Sequence, residues 1–152
     1  MILFKNLNLK NIVLSAIAAT SALFAILSLL FSTVSLTVFG ETEGVSGFKY
    51  LFDGGFDFNA FAAVLVLFVF IAAIAILALC VLNLVLTKDI DTYKKGLRLI
   101  TVANAVSALL YMIAGIVAAS ESKYYDTAAF VPFIIAVVLT AGYFVSDKLI
   151  KD

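Results

Sequence analysis

The residues of this chain that could take part in chemistry are few, and most of them lie in one segment. Asp53, Asp57 and Asn59 follow one another closely, and Glu41 and Glu43 precede them. Carboxylate and amide oxygens are the ligands that Ca²⁺ prefers, but the spacing does not match an EF-hand loop. We therefore interpret the segment as a solvated acidic turn and predict no metal site.

Residue types that are missing exclude several further kinds of chemistry. The sequence has no histidine, which excludes imidazole acid–base catalysis and the usual haem ligation. Its single cysteine, Cys80, excludes an intramolecular disulfide. We predict no catalytic residues, no enzyme activity and no cofactor, and nothing in the sequence indicates nucleic-acid binding. A membrane-embedded enzyme is the third and weakest interpretation.

Long apolar segments make up most of the chain, which is 64% hydrophobic. Four of them contain no Asp, Glu, Lys, Arg or His: residues 12–38, 60–86, 99–119 and 128–145. About 20 apolar residues in a helix cross the ~30 Å of hydrocarbon in a bilayer. The sequence therefore predicts an all-α membrane protein, a single four-helix transmembrane bundle over residues 1–152.

The charges outside these segments are distributed unevenly. Eight basic residues lie near the termini or in the middle loop: Lys5, Lys10, Lys88, Lys94, Lys95, Arg98, Lys148 and Lys151. The other two loops contain only Lys49 and Lys123. By the positive-inside rule, this predicts a multi-pass protein of the cytoplasmic (plasma) membrane with both termini in the cytoplasm.

The first outer loop has strand-like and helix-like parts. Polar and β-branched residues alternate over Ser32–Val38, which favours a strand. In the segment 46–58, a short helix would place Phe48, Leu51 and Phe52 on one face. A strand would instead align Phe48, Tyr50 and Phe52 and turn at residues 53–55. We favour the helix, so the predicted fold includes a short extracellular strand/helix element.

This loop is also where we expect an interaction site. A segment of about twenty residues is too short to fold alone, since isolated modules below ~40 residues rarely do so. Its aromatic residues must then be buried against lipid, the bundle or a partner, and buried aromatic anchors contribute much of the energy of binding. The predicted interaction residues are Phe48, Tyr50, Leu51, Phe52 and Asp53.

Two amides within the predicted spans form a further hypothesis. Asn83 precedes the middle loop and Asn104 follows it, which predicts similar depths on adjacent helices. An interhelical hydrogen bond between them would contribute roughly 0.6–2 kcal/mol. The alternative is that each amide contacts headgroup water independently.

The order of these features resembles the claudin-type tetraspan layout: four spans, cytoplasmic termini and a longer first outer loop entered through a strand-like run. Phe39–Asn59 contains neither tryptophan nor cysteine, so the claudin loop signature is missing and a junction function is not implied. Ser46–Gly54 resembles a Ser-Gly-aromatic stretch in uncharacterised small bacterial four-span membrane proteins, a family that implies no known activity.

Two functional hypotheses follow. The first is a non-enzymatic scaffold or accessory subunit that presents its first outer loop to a protein partner or to the outer leaflet. The second is an oligomeric channel or transporter component whose path is lined by Ser21, Ser28, Thr101 and Ser107. The lipid bilayer is a partner in both, together with a second protein or further copies of this chain.

Overall fold

The computed structural model describes residues 8–30, 32–38, 41–52, 60–120, 125–127 and 130–150. The helices in this part of the chain are α1 (Leu9–Leu27), α2 (Gly47–Phe52), α3 (Ala60–Leu86), α4 (Ile90–Ser120) and α5 (Phe130–Leu149). The strands are β1 (Ser32–Val38), β2 (Glu41–Ser46) and β3 (Tyr125–Thr127). A 3₁₀ turn, Ser28–Leu30, continues α1.

Four of these helices, α1, α3, α4 and α5, are long and apolar enough to cross a membrane. Helix α3 is the most apolar and has 27 residues, so it is about 40 Å long at 1.5 Å per residue. Large apolar side chains such as Phe68 and Ile71 are exposed along it, as expected of a surface that faces lipid. The predicted four-helix membrane bundle is confirmed for the described residues, and the protein is multi-pass.

The turn between α3 and α4 is shorter than the sequence suggested. Helix α4 begins at Ile90, not at Leu99, because Asp89 caps it: the backbone N–H and hydroxyl of Thr92 donate to Asp89 Oδ2 over 3.2 and 3.1 Å. Only Thr87–Asp89 connects the two helices. We call this end of the bundle the hairpin end.

The first and last long helices also differ from the predicted spans. Helix α1, with its 3₁₀ turn, ends at Leu30, so the first span stops well short of Val38. Helix α5 continues to Leu149, past the predicted limit at Val145. In both cases the helix bounds follow local backbone geometry, whereas the predicted spans ended wherever the run of uncharged residues ended.

Small side chains form much of the contact between the helices. Ala18, Ala22 and Ala25 on α1 are at most 1% exposed and pack in one cluster with Ile100 of α4 and Tyr143 of α5. Because lipid tails are themselves apolar, the hydrophobic effect does not drive apolar helices together in a membrane. Close packing of small residues stabilises their association instead. The helices of the bundle therefore pack closely along α1.

A three-stranded sheet lies at the opposite end, which we call the sheet end. Its strand order is β2-β1-β3, with both pairings antiparallel. Val38 pairs with Glu41, and Leu36 pairs with Tyr125. The chain that follows α1 is thus hydrogen-bonded to the chain that follows α4, and these two segments lie side by side.

Candidate functional site

Helix α2, at the sheet end, contains most of the residues predicted to interact with a partner. It begins at Gly47, where a Cβ atom would lie 2.8 Å from Leu29 Cδ2 and 2.8 Å from the ring and hydroxyl of Tyr111. Real Cβ atoms essentially never approach so closely, so a larger residue would push α2 away from α1 and α4. The absence of a side chain at Gly47 lets α2 lie directly on the bundle.

Two aromatic residues of α2 contact the same ring on α3. The Phe48 and Phe70 ring centroids are 5.9 Å apart at 80°, and those of Phe52 and Phe70 are 6.1 Å apart at 90°. Edge-to-face pairs of this kind contribute about 0.5–1.5 kcal/mol each beyond the burial of area. Phe70 therefore fixes the orientation of α2 along its length.

The predicted interaction residues differ in burial. Leu51 is 8% exposed and belongs to the core cluster around Tyr111, and Phe48 is partly buried against that cluster. Phe52 is 73% exposed. Tyr50 lies within α2, but its side chain is outside the described part of the structure, as is the whole of Asp53.

The contact with Phe70 indicates the depth of α2 relative to the membrane. Phe70 precedes Leu86, the last residue of α3, by sixteen positions, which corresponds to about 24 Å along the helix. The hydrocarbon core is ~30 Å thick, so α2 lies near its boundary on the sheet side if Leu86 marks the other boundary. On that placement, Phe52 would be exposed near the membrane interface, where amphipathic aromatic segments are stable.

Asn83 and Asn104 do not form the hydrogen bond predicted for them. Asn83 Nδ2 donates to the carbonyl of Tyr93 over 3.0 Å, and Thr87 Oγ1 donates to Asn83 Oδ1 over 2.9 Å. The early start of α4 is the reason: Asn104 is fourteen residues into α4, about 21 Å from the hairpin end, whereas Asn83 is three residues from it. The two amides lie at different depths.

Asn104 lies in the interior of the bundle. It is 1% exposed, and its Nδ2 has no hydrogen-bond partner among the described residues. The same holds for the hydroxyls of Ser21 on α1 and Ser107 on α4. A buried polar group without a partner costs about 1–3 kcal/mol, so these three positions are the least satisfied part of the described core.

The four hydroxyl residues proposed to line a path are all on inward faces. Ser21, Ser28, Thr101 and Ser107 are at most 3% exposed. The Ser28 hydroxyl donates to the carbonyl of Ala25, and the Thr101 hydroxyl donates to the carbonyl of Leu97. In the conformation described, Ser21, Ser28 and Thr101 are packed between helices, and Ser107 lies at the base of a groove between α3 and α4.

A charged cluster at the hairpin end joins three helices. Asp147 of α5 lies 3.5 Å from Lys10 of α1 and 3.8 Å from Arg98 of α4. The Arg98 guanidinium also lies 6.0 Å from the centre of the Phe144 ring. From the sequence these charges could only be counted on one side of the membrane, because ion pairs between residues so far apart along the chain leave no local pattern.

Tyrosine hydroxyls add further contacts between helices at this end. Tyr143 donates to the carbonyl of Lys94 over 3.1 Å, and the hydroxyls of Ser15 and Tyr93 lie 2.9 Å apart. Together with the Asp147 cluster, these bonds join α1 to α4 and α4 to α5. The hairpin end is therefore tied together by polar groups.

Comparison with models of protein families, with curated proteins and with solved structures finds no match. Within the described residues, no group of three or more His, Cys, Asp or Glu side chains is placed to hold a metal ion. Among the large apolar side chains exposed on the described surface, Phe52 is the one that α2 presents.

Proposed function

We propose that this protein is a non-enzymatic membrane scaffold or accessory subunit whose sheet end contacts a partner. The observation that carries the proposal is the division within α2: Phe48 and Leu51 hold the helix on the bundle, while Phe52 is 73% exposed. A firmly anchored helix presents an aromatic side chain at low entropic cost, and aromatic residues are enriched among the main contributors to binding.

The distribution of charge supports an orientation for this surface. The described part of the hairpin end contains more basic than acidic residues. The basic ones are Lys10, Lys88, Lys94, Lys95, Arg98 and Lys148, and the acidic ones are Asp89, Asp91 and Asp147. We accordingly propose that the hairpin end faces the cytoplasm and that the sheet end faces outward, in the cytoplasmic membrane of a bacterium.

Site-specific photo-crosslinking in intact cells tests the proposal. A benzophenone amino acid at Phe52 should give a discrete protein adduct. The same probe at Phe68, which is 56% exposed on the lipid-facing side of α3, is the matched control and should give none. An adduct at Phe68 alone, or none at either position, would contradict the proposal.

A second candidate, the channel component, is favoured by one observation. Ser21, Asn104 and Ser107 carry buried polar atoms without partners in the described residues, as expected of groups that contact water or substrate in another conformation. The flux of ions or small solutes across the membrane of vesicles that contain the purified protein distinguishes the two candidates. Flux that is lost on Ser21→Val and Ser107→Val would favour the channel.

A further inference from the structure

A groove of about 450 Å³ runs along the side of the bundle near the hairpin end, between α1, α3 and α4. Its walls include Ile12, Ala16 and Ala19 on α1, and Cys80 and Leu84 on α3. Ile12, Ala16 and Ala19 are exposed on a helix that crosses the membrane, so the groove opens sideways towards lipid. Its volume is within the range of ~300–1,000 Å³ typical of small-molecule sites.

The groove covers about two thirds of the hydrocarbon thickness of one leaflet of a bilayer. Ile12 and Ala19 are seven residues apart, which is about 10 Å along α1, and one leaflet contributes about 15 Å of hydrocarbon. Ser15 and Tyr93 supply the polar part of the lining, and their hydroxyls lie 2.9 Å apart. The groove is thus apolar along most of its length, with a pair of hydroxyls on its wall.

The end of the groove that faces the hairpin lies next to a surplus of positive charge. Lys88 is exposed in the loop that follows Leu84, and Lys95 and Lys148 are exposed at the same end of the bundle. Asp89 and Asp91 are exposed there too, so the six basic and three acidic residues described at this end give it a net charge of +3. Asp147 is already engaged by Lys10 and Arg98. Basic side chains near the membrane surface attract anionic headgroups by about 1 kcal/mol each.

We propose that this groove binds an anionic phospholipid, with one acyl chain between α1 and α3 and the headgroup at Lys88. A second groove, between α3 and α4, provides an internal comparison. It is lined by residues such as Ala72, Ala103 and Ser107. Neither lining includes a charged residue, but on α3 the second groove ends at Leu79, seven residues before the end of the helix, whereas the first reaches Leu84, two residues before it. The second groove therefore lies further from the basic residues of the hairpin end.

The absence of tryptophan from the chain permits a direct test. Ile12→Trp places the only indole in the groove, and Leu82→Trp places it on the other side of α3, between the depths of Cys80 and Leu84. The full-length variants are reconstituted in equimolar phosphatidylcholine and phosphatidylglycerol, with bromine on the acyl chains of one lipid or the other. Bromine quenches tryptophan fluorescence on contact.

We expect brominated phosphatidylglycerol to quench the groove tryptophan about two- to fivefold more than brominated phosphatidylcholine does, as one lysine contact predicts. Quenching at Leu82→Trp should be equal for both lipids. Adding Lys88→Gln, or raising the salt concentration, should remove the difference at the groove. Adding Ala16→Leu should fill the groove and lower quenching by both lipids, whereas Ala78→Leu, outside both grooves, should not.

Two results would overturn the proposal. Equal quenching by both lipids at Ile12→Trp would mean that the groove contains ordinary bulk lipid. Protection of that tryptophan from both lipids would mean that a protein helix, from a second copy or another partner, occupies the groove. If Ala16→Leu does not fold, the comparison of Ile12→Trp with and without Lys88→Gln still decides between these outcomes.

Discussion

Adding one methyl group at Gly96 should destabilise the α3–α4 hairpin through Asn83. A Cβ atom at Gly96 would lie 2.5 Å from Asn83 Oδ1, 2.6 Å from its Cγ and 2.7 Å from its Nδ2. The Asn83 side chain is held by the carbonyl of Tyr93 and the hydroxyl of Thr87. Gly96→Ala therefore forces that amide to move and breaks both hydrogen bonds.

The magnitude can be worked from these contacts. A hydrogen bond contributes about 0.5–1.5 kcal/mol net, so losing the bond from Asn83 to Tyr93 between helices and the local bond from Thr87 to Asn83 costs about 1–3 kcal/mol. Replacing glycine by alanine within a helix returns up to about 1 kcal/mol. The net expectation for Gly96→Ala is a loss of about 0–2 kcal/mol in the free energy of unfolding.

The decisive measurement is a double-mutant cycle, with unfolding followed in bicelles. Asn83→Ala removes all three of the atoms that a methyl group at Gly96 would meet, so Gly96→Ala should be neutral or stabilising in that background. Gly142→Ala is the matched control, because nothing lies within 4 Å of a Cβ there. If Gly96→Ala were equally destabilising with and without Asn83, the reasoning would be wrong.

Two further predictions concern the hairpin end. Asp147→Asn should lower the free energy of unfolding by about 0.5–2 kcal/mol, because it leaves the cations of Lys10 and Arg98 close together. The control, Asp91→Asn at an exposed position, should change it by less than about 0.5 kcal/mol. Equal effects of the two changes would show that the Asp147 cluster does not stabilise the fold. In a Cys80→Ala background, an impermeant maleimide added to intact cells should label the cysteine of a Ser122→Cys variant, between α4 and α5, and should not label that of a Thr92→Cys variant. The reverse labelling pattern would mean that the protein has the opposite orientation.

The four spans could be predicted because the absence of charge over long segments is a direct requirement of the bilayer. The start of α4 could not be found in this way. Lys94, Lys95 and Arg98 made residues 87–98 look like a loop, whereas they lie on the first turns of a helix, where long basic side chains reach the interface. This displacement also explains the mistaken depth of Asn104.

The aromatic residues of the first loop were predicted as a group, but their separate roles were not. Helical spacing placed Phe48, Leu51 and Phe52 on one face. It gave no information on Phe70, which both phenylalanines contact, or on Tyr111, which limits the space at Gly47. Contacts between residues so distant along the chain depend on how the helices pack, and this packing cannot be inferred from a single sequence.

The pairing of β1 with β3 has a consequence for biosynthesis. Val34 and Thr127 are partners in the register of this pair, yet two long helices, α3 and α4, separate them along the chain. During synthesis, β1 and β2 emerge early, and β1 then keeps one edge unpaired until α4 has crossed the membrane. An unpaired edge readily recruits other strands. Pairing of β3 with β1 therefore occurs only after the third span has been inserted. A chain arrested before Tyr125 would expose the unpaired edge of β1, which a chaperone or protease could recognise.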